Sequence, residues 1–334
     1  MKLYDKIKKY IKEYYKSFLI IAISFIVFTI PFPYFINTPG GLINVSERVK
    51  IENGYEPTGT FNLAYVSELK ATIPTLLVAL LKDTWDVVKI SDVTYDNQTL
   101  WEMQYRDTLL LKEANNNAII VAYNEVGKKV DIINQDLIVS YVDTKAKTDL
   151  VVGDVLLDIE GEKIDDFDSL TDILSGYEEN DTINIKVENK GVISDKTATL
   201  YYDYDRIIIG IVLIADLKLD TEPQVELKFK KSESGPSGGL MTSIAIYDHL
   251  TKEDLTHGKT IVGTGTIDRE GNVGLIGGVE YKLRGAIKEK ADIFLVPSGS
   301  NYEEAMELKK DNNFDIEIVS IATFDEAINY LRNR

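Results

Sequence analysis

Cysteine is absent from the 334 residues, so the chain has no disulfide, no thiol nucleophile and no thiolate metal site. Histidine is nearly absent: His249 and His257 are the two present. Imidazole-rich metal sites are excluded, and a Ser-His-Asp triad has almost nothing to draw on. Positive charge is in the minority, with 37 Lys and Arg against 54 Asp and Glu and a net charge of −17. Such a chain repels phosphate, which argues against a nucleic-acid partner. The phosphate-cradling pattern GxxxxGK[ST] occurs nowhere in these residues, so no nucleotide partner, no cofactor and no metal is expected. Internal repeats and low-complexity runs are also missing. The apolar share is 44%, enough for packed cores in two or three domains.

Charge and hydropathy are distributed unevenly. Lys2, Lys6, Lys8, Lys9, Lys12 and Lys16 crowd the first sixteen residues, against Asp5 and Glu13. "SFLIIAISFIVFTIPFPYFI", residues 17 to 36, then carries no charged side chain. About 20 apolar residues span a bilayer as a helix, and a lysine-rich flank stays in the cytoplasm. The run is longer than a signal-peptide core, and no small-x-small cleavage site follows it. The expectation is a basic cytoplasmic segment over 1–16 and a transmembrane anchor over 17–36. Pro31 and Pro33 would end the helix near the outer surface. Everything after residue 37 would then lie outside the cell membrane, on a single-pass anchor.

Residues 37–117 read as a mixed α/β segment. "GGLINVSERVKI" and "GTFNLAYVSEL" alternate as strands do, "IPTLLVALLKDTW" is helical, and a second helix surrounds "QTLWEMQYRDTLLLKEA". No chemistry is visible there, and a packing or spacing role is expected. Residues 118–205 read as a β-rich unit. "AIIVAYNEVGKKV" is a helix leading into a strand, "DLIVSYV" is a strand, and "GDVLLDIEG" is a strand between tight turns. A helix follows from about Asp168, then two closing strands. "GDVLLDIEG" resembles the GD-x-[IL]-x-x-[IV]-[ND]-G stretch of PDZ domains. The resemblance implies a groove that takes peptides by β-strand addition. A small β domain with no ligand is the plain alternative. Residues 206–334 alternate strand and helix, as an α/β domain does.

Within that last segment stands "ESGPSGGLMTSIAIYDHL", residues 233 to 250. Glycines and a proline surround Ser237, and helix spacing starts at once with Leu240, Met241, Ile244 and Ala245. A serine there is either a cap or a nucleophile. A nucleophile needs a base. His249 lies twelve residues along the same helix, about 18 Å away, and cannot reach. His257 sits in a polar linker. A buried lysine can lose its proton and serve instead. Lys282 follows "GLIGGVEY" and has Leu275, Ile276, Val279, Leu283 and Ala286 about it. Most lysines on such helices are solvated, so spacing alone leaves Lys282 open.

Three ordered stretches carry a second resemblance. "SGPSGGLMTSIAIYDHL" resembles the serine motif of Lon proteases, "IVGTGTIDREGNVGLIGGVEYKLRGA" resembles their strand-turn-helix with GG-x-x-x-K-x-x-A, and "IFLVPSGSNYEE" resembles the stretch after it. Together with the apolar N-terminus and the PDZ-like unit, the whole is similar to the membrane-anchored, PDZ-containing Lon-like proteases of Gram-positive bacteria. The ATPase module of Lon itself has no counterpart in these residues. The resemblance implies a Ser-Lys dyad, with Ser237 as nucleophile and Lys282 as general base. It implies positioning or oxyanion roles for Pro236, Gly238, Thr264 and Thr266. A β-branched strand residue is the plain reading of either threonine. Ser234 stands where Lon has Asp, Gly238 where it usually has Ala, and Thr266 where it has Glu.

The fold expected is thus α+β and multidomain: a transmembrane helix, a PDZ-like domain and a C-terminal α/β Lon-type proteolytic domain. The function expected is an ATP-independent serine endopeptidase acting on peptides or exposed segments of extracytoplasmic proteins. The alternative is a non-catalytic PDZ-type scaffold with a Lon-like fold. The sequence is compatible with an oligomer.

Overall fold

The computed structural model describes residues 2–230 and 232–334, with Met1 and Lys231 outside the described residues. The chain forms two compact units. One comprises residues 1–39 and 66–93, the other residues 40–65 and 94–334.

In the smaller unit, helix α1 runs from Lys2 to Thr29. It stops there because the residue before a proline avoids the helical region, and Pro31 and Pro33 follow closely. Strand β1, Tyr34–Asn44, then begins, and its first residues pair antiparallel with β4, Asp86–Lys89. A short helix α2, Ile73–Ala79, starts at Thr72, whose side chain and that of Thr75 form a capping box. Ile36, Ala71 and Ala79 make a small core, with Leu76 and Trp85 packed against it. The apolar half of α1 stands outside that core. Phe18, Leu19, Ile20, Ile21 and Phe25 are each more than half exposed.

The span expected over residues 17–36 is therefore not one helix. Its helical part, Ser17–Thr29, is about 20 Å long, short of the roughly 30 Å of a bilayer's hydrocarbon core. Phe35 and Ile36 are buried in β1. Among the described residues no helix is long and apolar enough to cross a membrane.

The larger unit holds two sheets. The first has the order β19-β18-β15-β3-β1, where β3 is Thr60–Lys70, β15 Thr260–Gly263, β18 Ile293–Pro297 and β19 Glu317–Ile321. β15 runs parallel to both β3 and β18, and β18 parallel to β19. Both faces of the central strand β18 are covered, and its sequence, IFLVP, is apolar throughout. Alternate residues divide between the faces. Ile261, Ile293 and Leu295 enter one core with α5 (Gly239–Leu250) and α8 (Phe324–Arg332). Val262, Phe294 and Val296 enter another with α6 (Val279–Lys288) and α7 (Ser300–Asn312).

The second sheet is antiparallel. Its order is β13-β5-β7-β9-β10-β6, with β5 at Lys129–Val142, β6 Lys147–Thr148, β7 Val155–Ile159, β9 Thr182–Asn189, β10 Val192–Thr199 and β13 Ile211–Glu222. Leu137, Val139 and Ala215 face a core that includes Leu170 of α4, Phe167–Leu174. Ile138 and Ile214 face Leu109 on α3, Leu100–Glu125. Helix α3 thus contributes to both cores, through Leu109 here and through Ala118 and Ala122 in the first sheet's core. Position 117/118 falls within α3, and strands from either side of 205/206 share the antiparallel sheet. Thr60–Leu63 lie beside β15, and β13 pairs with β5 along its whole length.

Candidate functional site

Helix α5 is buried on every side from Gly239 to His249. Among its buried polar side chains, Thr242 and Ser243 donate to the Gly238 and Leu240 carbonyls, and Asp248 accepts Leu255 N–H. Its entry turn is held from three directions. Upstream, strand β14, Val225–Leu227, pairs with β2, Val49–Ile51. Lys228 N–H then donates to the Arg48 carbonyl at 2.8 Å, and Arg48 Nη2 donates to Glu233 Oε1 at 2.7 Å. The other carboxylate oxygen of Glu233 accepts from Lys230 N–H at 2.7 Å. Next, Gly235, in the left-handed region at φ 87°, donates its N–H to the Asp107 carbonyl of α3 at 3.0 Å. Finally, the Ser237 carbonyl accepts from Gly265 N–H at 2.8 Å and from Thr264 Oγ1 at 3.2 Å.

Gly239 is needed for a different reason. A Cβ there would lie 2.8 Å from Ile267 Cγ2 and 3.0 Å from its backbone nitrogen, so only a bare backbone lets α5 approach so closely.

Lys282 comes to this turn from α6. Ile276 is clamped by Asn301, whose Oδ1 accepts from Ile276 N–H at 2.8 Å while its Nδ2 donates to the Ile276 carbonyl at 3.0 Å. Gly278 then takes the left-handed conformation that opens α6, and Lys282 lies one turn on. Its side chain is 4% exposed, and Nζ donates to Thr264 Oγ1 at 3.1 Å. Burial drives its pKa down to about 8. A single threonine hydroxyl therefore joins the lysine amine to the serine backbone.

The candidate residues divide on this geometry. Ser237, Thr264 and Lys282 are brought together. Pro236 has no N–H to offer an oxyanion, and it shapes the turn through its carbonyl, which accepts Gly239 N–H at 3.2 Å. Gly238 is the cap residue of α5; the next two N–H groups, of Gly239 and Leu240, donate to the Pro236 and Gly265 carbonyls. Thr266 sits in β16, Thr266–Ile267, opposite Gly274 of β17, Val273–Gly274, and lies outside the bonds linking Lys282 to Ser237. Neither histidine joins the site. His249 Nδ1 bonds the Ala245 carbonyl at 2.8 Å, and His257 Nε2 the Leu331 carbonyl at 3.0 Å. Sequence reasoning missed Arg48, Asp107 and Glu233. Asp107 acts through a backbone carbonyl, which has no signature in a sequence.

Residues 230–333 match the family model of the Lon protease (S16) C-terminal proteolytic domain. The matched region contains the serine turn, Thr264, Lys282 and Asn301. The protein is a serine peptidase with a Lon-like proteolytic domain.

Proposed function

We propose that the protein is an ATP-independent endopeptidase in which Ser237 is the nucleophile and Lys282 the general base. The observation that carries this reading is the buried Lys282 amine, held by a neutral hydroxyl that also binds the Ser237 carbonyl. A lysine with a pKa near 8 is partly neutral at physiological pH and can accept a proton. The neutral amine takes the Ser237 hydroxyl proton as Oγ attacks a peptide carbonyl carbon. The Gly238 N–H at the start of α5 stabilises the oxyanion. The C–N bond breaks, the Lys282 ammonium returns the proton to the leaving amine, and an ester remains on Ser237. Lys282 then deprotonates a water that hydrolyses the ester.

Without an unfolding motor, the substrates are short peptides or extended segments. The antiparallel sheet bounded by β13 serves as the PDZ-like part and holds such segments by strand addition. We place the enzyme at a cell membrane, attached by α1 with its apolar side chains in the lipid and its basic leader at the headgroups. The exposed apolar side chains of α1 beside that leader support this.

The test uses the full chain in detergent against a library of unstructured peptides. Ser237→Ala and Lys282→Arg, each checked for folding, should abolish cleavage, because a guanidinium stays protonated. Equal cleavage by all three proteins overturns the dyad. Membrane fractionation of the same chains, with and without residues 1–30, tests attachment.

A further inference from the structure

The far end of α5 opens on a polar cavity of about 650 Å³ that the chemistry at Ser237 does not use. Three connections border it: residues 51–55 at the end of β2, residues 127–129 leading into β5, and residues 222–223 at the end of β13. Its ionisable lining comprises Glu52, Tyr55, Lys128, Lys129, Glu222 and His249.

His249 is 2% exposed. Its Nδ1 lies 2.8 Å from the Ala245 carbonyl, which can only accept, so Nδ1 carries the proton. In the neutral ring Nε2 is then an acceptor, and this buried atom has no hydrogen-bond partner among the described residues. The group facing it is Glu56 Oε2 at 3.7 Å, a second acceptor. Two acceptors at that separation call for a donor between them. A nitrogen about 2.8 to 2.9 Å from each would close the triangle.

The surroundings select a cation. Glu52 and Glu222 in the lining, with Glu56 beside His249, set three carboxylates against the ammonium groups of Lys128 and Lys129. Lys129 is bonded to Asp220 and lies 3.5 Å from Asp131, so its charge is already matched. The C-terminal end of α5 adds partial negative charge, and the exposed Tyr55 offers an aromatic wall.

We propose that this cavity binds a primary ammonium group, with His249 Nε2 and the Glu56 carboxylate as its hydrogen-bond acceptors. A small alkylamine and a lysine side chain of an extended peptide both present that chemistry. The site is separate from Ser237 and does not depend on the peptidase reading.

The test is long-range ¹H–¹⁵N correlation of the full chain labelled at histidine. His257, already bonded to Leu331, serves as internal reference. The probes are n-butylammonium and an N-acetylated, C-amidated Gly-Lys-Gly peptide. Tetramethylammonium, which has no N–H, is the control. Butylammonium should shift His249 Nε2 saturably, leave His257 unmoved, and bind about tenfold more weakly to Glu56→Gln, whose side chain is exposed and safe to change. A matching response to the peptide identifies lysine side chains as the source, and a response to butylammonium alone identifies small amines. An absent shift, an equal shift with tetramethylammonium, or an Nε2 already carrying a proton at pH 7.5 overturns the proposal.

Discussion

Lys282 and Asp248 are both ionisable and both buried, at 4% and 1% exposed. Burial drives each toward its neutral form, the lysine down to about 8 and the aspartate up to about 7. Their company differs. Lys282 Nζ meets the neutral hydroxyl of Thr264. Asp248 Oδ1 accepts Leu255 N–H at 2.8 Å, and the charges of Asp254 and Glu253 push its pKa further up. A carboxylate beside Lys282 would keep the proton on the amine, whereas a hydroxyl lets it leave. On the proposed dyad, the same desolvation favours a base where a serine turn is within reach and is only a cost at the other end of α5. Perturbed titration marks both groups, but only Lys282 has a hydrogen-bond chain to Ser237.

The largest effect is expected at Lys282. Lys282→Met should lower kcat/KM by about four orders of magnitude or more, because an unactivated serine is a weak nucleophile. The same change should stabilise the fold. The folded pKa, near 8, lies below the ordinary 10.5, so the lysine's cost to stability is full below pH 8 and fades as pH rises from 8 to 10.5. At pH 7 the methionine should gain about 2 to 3 kcal/mol in urea unfolding, and by pH 11 almost nothing. In the wild type, the rate should rise with pH, reach half its maximum near pH 8 and level off above it. A variant that loses activity and stability together would contradict this reading of the lysine.

The serine turn and its lysine were legible because both lie in short motifs whose glycines and apolar spacing are local. Helices α5 and α6 followed from the same spacing. What escaped was non-local. Arg48 meets Glu233 across 185 positions. β13 pairs with β5 through a register that no single stretch encodes. Residues 60–63 read as an isolated strand, yet they sit beside β15 in the sheet that carries the site. The apolar run over 17–36 misled on length: Pro31 and Pro33 were expected to end the helix only at the far membrane surface, yet α1 stops at Thr29 and the rest of the run enters strand β1.

The two threonines allow a finer comparison. Thr264→Val removes the hydroxyl that holds Lys282 and the Ser237 carbonyl while keeping the strand shape. It should lower kcat by about ten- to a hundredfold with little change in KM, the loss expected for a misaligned base. Thr264→Ser should restore most of it. Thr266→Val, outside that chain, should change kcat by no more than about twofold. Equal losses at both positions would mean that strand packing, rather than the hydroxyl, matters.

Asp248→Asn should leave activity unchanged and alter stability alone. The amide oxygen can still accept Leu255 N–H, and the buried charge is gone. Because the aspartate's folded pKa, near 7, lies above the ordinary 3.8, its ionisation costs nothing below pH 3.8. The cost grows as pH rises toward 7 and is full above it. The variant's advantage should therefore be near zero at pH 4 and about 2 to 4 kcal/mol at pH 8, read from urea midpoints. That window runs opposite to the one at Lys282, whose cost fades as pH rises. A lysine and an aspartate on adjoining helices of the chain would then be separable by pH alone. Neutralising either should stabilise the fold, and only the loss of the lysine should silence the serine.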